Sequence, residues 1–301
     1  MSTIITVNAL EQNVGVSSTV LTLSEKLNFL TKKNTCIVEL DHQNPSFSYV
    51  LEKSSIGNKS IDGLISFINN DTVIDDDLID ILKFNVKTFK NSNIDIIYGS
   101  KDNRRFNNIQ LNIFITVLRE KYENIIIDYG NEIIPDVLID NSDINILLVQ
   151  PSLRYIDLLG KNKKDYIHKK TTLLIDNNIQ SSSEIAFLVK DKFKDTELLG
   201  QLPLSKDLMK SLSQGTINIE KGIYSKSLTK IALKICSQLS IDIKVKNTFT
   251  DRILGKIEER EEDVFINLSE KTPLGEILVN EKICTLEDIE KCLKIQAKRL
   301  G

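Results

Sequence analysis

Glu11-Gln12-Asn13-Val14-Gly15-Val16-Ser17-Ser18 is a short polar loop between two segments of opposite periodicity. Before it, Ile4-Ile5-Thr6-Val7 is an apolar run of the kind that forms a buried strand. After it, from Thr19 to Leu30, residues Val20, Leu23, Leu27 and Leu30 share one helical face with Val16. Strand, tight loop and helix in that order form the setting of a phosphate-binding loop, where backbone N–H groups at a helix N-terminus cradle an anion. The setting is intact and the chemistry is altered: the loop has one glycine and no lysine.

Two further strand ends carry acids. Thr35 to Leu40 ends at Glu39-Leu40-Asp41, followed by His42-Gln43-Asn44-Pro45. Tyr122-Glu123-Asn124-Ile125-Ile126-Ile127-Asp128 follows an amphipathic helix over Ile109 to Tyr122, with Leu111, Phe114, Ile115 and Leu118 in register. An apolar strand ending in Asp has the Walker B arrangement, which sets a carboxylate at the C-terminal edge of a sheet, where it can organise Mg²⁺ through water. Ser60 to Leu82 reads as two helices around Asn69-Asn70-Asp71. Ile94 to Ile97, Asn145 to Gln150, Thr171 to Ile175 and Leu198 to Pro203 read as strands. Leu208 to Gly215 and Leu228 to Leu239 read as helices. Strands alternating with helices predict an α/β fold, a mostly parallel sheet covered on both faces, with the ligand crevice at the C-terminal strand ends.

The loop resembles the deviant P-loop of the ParA/MinD family of ATPases, K-G-G-V-G-K-[ST]-[ST]. Val14, Gly15, Ser17 and Ser18 match it. Glu11 stands for the signature lysine, Gln12 and Asn13 for two glycines, and Val16 for the phosphate-contacting lysine. The resemblance implies a nucleotide site at Val14, Gly15, Val16, Ser17 and Ser18, with Asp41 as a vestigial water-positioning acid and Glu39 in the place of its partner. Ser17, Asp41 and Asp128 would hold Mg²⁺ if ATP or ADP binds. Asp176 stands where the family places a base-contacting Asn, and Pro203 ends a segment resembling the family's L-G-x-[IL]-P. The resemblance covers about the first 240 residues. It is closest to the CpaE-like pilus-assembly branch, which implies a positioning or assembly factor for a type IV pilus or type II secretion machine. With Val16 and Glu11 in the loop, hydrolysis is expected to be lost or very slow. Nucleotide is not expected to be needed for any homodimer. The alternatives are an ATP-dependent switch, with Lys101 or a partner's lysine supplying the charge, and a DNA-partition protein.

Composition bounds the rest. A net charge of -3 and a pI of about 5.7 speak against retention on nucleic acid by bulk charge. The run Lys161 to Lys170 is basic, and its ordinary reading is a solvated helix face, with peripheral membrane contact as the alternative. The four cysteines form no CxxC pair, and there are two histidines. Reduced thiols are therefore expected, with neither zinc nor haem. No apolar run is long enough to span a bilayer and no signal pattern opens the chain. The expected place is the cytoplasm, in some settings at the inner face of the membrane. Three parts are expected: a P-loop domain over 1–243, a charged linker over 244–271 containing Glu258 to Asp263, and a helical docking module over 272–301. The last resembles the repeat found in the N-terminal domains of pilus and secretion motor ATPases, with Leu274, Ile277 and Leu278 on one face and Leu286, Ile289 and Leu293 on another.

Overall fold

In the computed structural model the described residues are 2–51, 60–67, 83–86, 94–100, 102–177, 188–189, 191–203, 205–213 and 222–244. The chain divides into a unit over Met1–Val245 and a second over Lys246–Gly301. The linker and docking module expected from sequence, the helices expected after Phe67, and Lys101 all lie outside the described residues.

The first unit is built on one eight-stranded sheet. In chain order the elements are β1 (Thr3–Ala9), α1 (Val16–Thr31), β2 (Thr35–Glu39), α2 (Phe47–Val50), α3 (Ile61–Phe67), β3 (Lys83–Val86), β4 (Ile94–Ile97), α4 (Asn108–Lys121), β5 (Asn124–Asp128), α5 (Asp136–Asn141), β6 (Ile144–Val149), α6 (Leu153–Lys161), α7 (Lys163–Tyr166), β7 (Thr171–Asn177), β8 (Glu197–Pro203), α8 (Lys206–Ser213) and α9 (Gly222–Gln238). The strand order is β3-β4-β2-β5-β1-β6-β7-β8, and every pairing is parallel except β3 with β4. The α/β expectation therefore holds, with one antiparallel edge strand that the sequence reading did not assign. Lys83-Phe84-Asn85-Val86 is too short for its alternation to stand out from the flanking polar residues.

The strands are hydrophobic on both faces because helices cover both. One core cluster joins Ile4, Val38, Ile97, Ile125 and Ile127 to Ile61 and Leu64 of α3, to Leu111, Phe114, Ile115 and Leu118 of α4, and to Leu138 of α5. The alternate strand residues Ile5, Ile37 and Ile126 are equally buried. They belong to the other face by the two-residue period of a strand, and α1 and α9 pack against each other. The helices form where their apolar residues recur at three and four. Their starts carry real caps: Asn107 and Gln110 make a reciprocal capping box at α4, and the Ser152 hydroxyl accepts from Tyr155 N–H at α6. Several helices extend beyond their sequence reading. α9 begins six residues ahead of Leu228, since the Gly222 to Lys226 turn has few apolar residues to mark it.

The basic run is a solvated surface, but not one helix. α6 ends at Lys161, paired to Asp157 at 2.7 Å. A single turn follows, and Lys170 donates to the carbonyls of Asp140 and Ser142. Among the described residues no helix is long and apolar enough to cross a membrane. Cys36 and Cys236 are buried.

Candidate functional site

β1 lies between β5 and β6, so the loop that leaves it emerges at the C-terminal edge of the sheet, flanked by the ends of both neighbours. That loop holds two residues in left-handed backbone, Asn13 at φ 60° and Gly15 at φ 92°. Gly15 adopts this at no steric cost, and Asn is among the few other residues that do so readily. Alternating left- and right-handed residues turn successive N–H groups toward one concavity, the backbone device that binds phosphate. The loop holds this backbone with a single glycine. Gly15 is the N-cap of α1, and no side chain caps the helix start. Ser18 turns its hydroxyl back onto the Gly15 carbonyl at 2.9 Å.

Below the loop is a cleft of about 320 Å³ lined by Glu11, Gln12, Asn13, Gly15, Val16, Ser17, Ser18, Asp41, Asn44 and Asn131, with Ser46, Val50 and Gly130. Among these described residues there is no Lys, Arg or His. The structure thus brings together Gly15, Val16, Ser17, Ser18 and Asp41 as expected. It does not bring in Val14, whose side chain is buried in the core. Asp176 and Pro203 belong to β7 and β8, two and three strands from β1 in the sheet order.

The three acids have different roles. Asp41 accepts through Oδ1 from the N–H groups of Gln43 and Asn44 at 3.0 and 2.9 Å, so its carboxylate folds the turn after β2 and still faces the cleft. Asp128 lies behind the cleft, fully buried. Its Oδ1 accepts from Gly130 N–H at 2.9 Å, and its Oδ2 has no hydrogen-bond partner. Burial pushes its pKa up to about 7. The Ser17 hydroxyl and the Gly130 amide pull it back, and Asp41 adds to the rise. Glu39 is not a second catalytic acid. Its Oε1 accepts from Ser46 and Phe47 N–H at 2.5 and 2.9 Å, and its Oε2 from Gly99 N–H at 2.9 Å. It caps α2 and latches β2 to the turn after β4. Burial, then the neighbouring Asp128, raises its pKa to about 8 against those three amides. Next to Asp41, buried His42 has its pKa lowered to about 4, by burial first and Arg105 second, and is neutral near pH 7.

Two residues of α6 that the sequence reading did not single out hold the start of the loop. Tyr155 Oη accepts from Leu10 N–H at 2.8 Å and donates to the Leu148 carbonyl at 2.7 Å. Arg154 donates to Glu11 at 2.8 Å. Neither residue belongs to a motif or periodic pattern that marks it in the sequence.

Comparison with solved structures agrees with this topology. The chain matches a ParA family ATPase from Chlorobium tepidum TLS with a TM-score of 0.64 and 16% identity, over 77% of this chain and 99% of that one. The fold is that of the ParA/MinD ATPases. The septum site-determining protein MinD from Pyrococcus horikoshii OT3, solved with Mg-ADP, matches at 0.61 and 17% identity over 81% of this chain and 100% of that one. A plasmid partition protein from Borrelia burgdorferi B31, solved with AMPPNP, matches at 0.57 and 19% identity over 79% and 100%. No protein-family model matches the chain, and no curated protein matches its sequence. The ParA/MinD fold accounts for the sheet order and for the place of the loop.

The residues present fit a magnesium nucleotide in part. Ser17, Asp41 and the unpartnered Asp128 oxygen are hard oxygen ligands grouped at the cradle. Mg²⁺ needs only one or two such carboxylates when phosphates and water complete its shell. Among the described residues no cluster of three or more His, Cys, Asp or Glu forms a metal site by itself. Ser17, Asp41 and Asp128 would hold the ion, which would supply positive charge against the phosphates. The backbone cradle would orient the anion, Asp41 would order water at the rim, and Val16 would leave the γ-position without a protein cation.

Proposed function

We propose that this chain is a non-hydrolysing protein of the ParA/MinD fold, of the CpaE-like kind, that serves as a positioning or assembly factor for a type IV pilus or type II secretion machine. One observation carries the reading: the loop holds left-handed backbone at Asn13 and Gly15, while among the described residues its cleft is lined by Glu11 and Asp41 and by no cationic side chain. Phosphoryl transfer is driven by positioning and by neutralising charge on the transferred group. This cleft retains the first and lacks the second. The motor-like repeat of residues 272–301 supports the choice of machine. Tyr49, Ile133 and Leu153 follow the ends of β2, β5 and β6 and are 82%, 55% and 67% exposed. This apolar surface beside the cleft suits docking of a partner subunit or a second copy at the inner face of the membrane. A second reading, an ATP-dependent switch, is favoured by neighbours solved with Mg-ADP and with AMPPNP.

Phosphate release from ATP separates the two. The expected result is no release above the uncatalysed background with Mg²⁺ present, and calorimetry showing at most weak binding of ATP and ADP. Turnover that disappears in Asp41→Asn would overturn the proposal and establish the switch. For the machine, deleting residues 270–301 should leave the unfolding temperature of the main unit within about 2 °C, a change under ~1 kcal/mol for a unit of this size, while abolishing capture by the pilus or secretion motor. A large fall in melting temperature with capture intact would show that the tail belongs to the core.

A further inference from the structure

The positive charge missing from the loop has a source elsewhere in the chain. Glu11 lines the cleft, and Arg154 Nη2 lies 2.8 Å from its Oε1, across 143 residues of sequence. Arg154 is the second residue of α6, after the Ser152 N-cap. A cation in the first turn of a helix is opposed by the helix dipole. An exposed ion pair returns no more than that, and the Arg154 side chain is 78% exposed. Stability therefore does not explain the placement. The residue beside it does tie this turn to the loop, since fully buried Tyr155 bridges Leu10 N–H and the Leu148 carbonyl. Arg154 is thus carried on a turn clamped to the residue that enters the loop. Its contact with Glu11 uses one nitrogen of a group with five N–H donors.

We propose that Arg154 is the counter-charge of this pocket for a phosphate-bearing ligand, supplying from α6 the cation that Val16 and Glu11 do not supply from the loop. Glu11 holds the guanidinium at the rim and yields it when a stronger anion arrives. Guanidinium suits that exchange because its planar fork matches carboxylate and phosphate alike. The inference rests on the reading of the loop as an anion cradle. It has a signature that a purely structural ion pair lacks. Arg154 attracts phosphate and Glu11 repels it, so removing one partner shifts anion binding in the opposite direction from removing the other.

The probe is inorganic tripolyphosphate, titrated calorimetrically into the full chain at low salt and without Mg²⁺. Arg154→Ala, and Arg154→Gln, which keeps most of the aliphatic stem, should weaken binding about fivefold or more. Arg154→Lys should keep a large part of it. Glu11→Gln should strengthen binding about fivefold, the order of one charge–charge term near a surface. Shifts of the same sign in the Arg154 and Glu11 variants, no shift in either, or no binding by Glu11→Gln would each overturn the assignment. ATP turnover, the outcome that sinks the proposed function, bears on hydrolysis and leaves this test of sign intact.

Discussion

Asp128→Asn will make the protein more stable above pH 7. The carboxyl is fully buried, one of its oxygens has no hydrogen-bond partner, and its pKa is raised from 3.8 to about 7. The folded state then holds a proton that the unfolded state has released, between pH 3.8 and about 7. That contribution to stability is fully present below pH 3.8 and is lost as pH rises through 7. Glu39, directly across the β2–β5 register from Asp128 and raised from 4.5 to about 8, acts in the same direction over its own window. Because the two carboxylates interact, they titrate as a pair. The asparagine keeps an oxygen for Gly130 N–H and carries no charge to bury. The stability difference between variant and parent should be near zero below pH 3.8 and about 2 kcal/mol by pH 5. By pH 8.5 it should reach about 4 kcal/mol, roughly 8–16 °C for a unit of this size. A variant that melts below the parent at pH 8.5 would show that the charged carboxylate holds the fold together.

Gly130→Ala should damage both fold and cleft, although Gly130 lies outside every motif. Its φ is +62°, and an added Cβ would stand 2.5 Å from Asp41 Cγ and Oδ2 and 2.9 Å from Oδ1. Asp41 cannot retreat freely, because its Oδ1 holds the amides of Gln43 and Asn44. Gly130 is itself pinned, accepting from Ala9 N–H and donating to Asp128. Left-handed backbone at alanine costs roughly 1–2 kcal/mol, and displacing a bonded, buried carboxylate adds about 1–3 kcal/mol. A fall in melting temperature on the order of 5–15 °C is expected. Gly160→Ala is the control. Its Cβ meets only the flexible end of Lys192, and its effect should stay within about 1 kcal/mol. Equal melting temperatures for the two variants would mean that Gly130 and Asp41 are not packed as described.

Much of this arrangement was legible from local pattern. Apolar runs ending in Asp41 and Asp128, with amphipathic helices between them, require strands covered on both faces. A covered parallel sheet puts the loop after its first strand beside those acids. The substitutions in the loop were equally plain, because a lysine is either present or not. Local pattern did not show the left-handed backbone at Asn13 and Gly15.

What each acid does was decided by tertiary structure alone. Glu39 reads as half of an acidic pair. It becomes a helix cap because the following turn at Ser46 and the distant turn at Gly99 deliver three amides to its two oxygens. Strand order, which no residue spacing encodes, puts β7 and β8, which carry Asp176 and Pro203, two and three strands from β1. Arg154 meets Glu11 across 143 residues only because β6 pairs with β1 and Tyr155 anchors the turn that follows. Periodicity along a chain reports which face is buried. Which charges end up as neighbours depends on the order in which the strands pair, and that is settled by packing over the whole sheet.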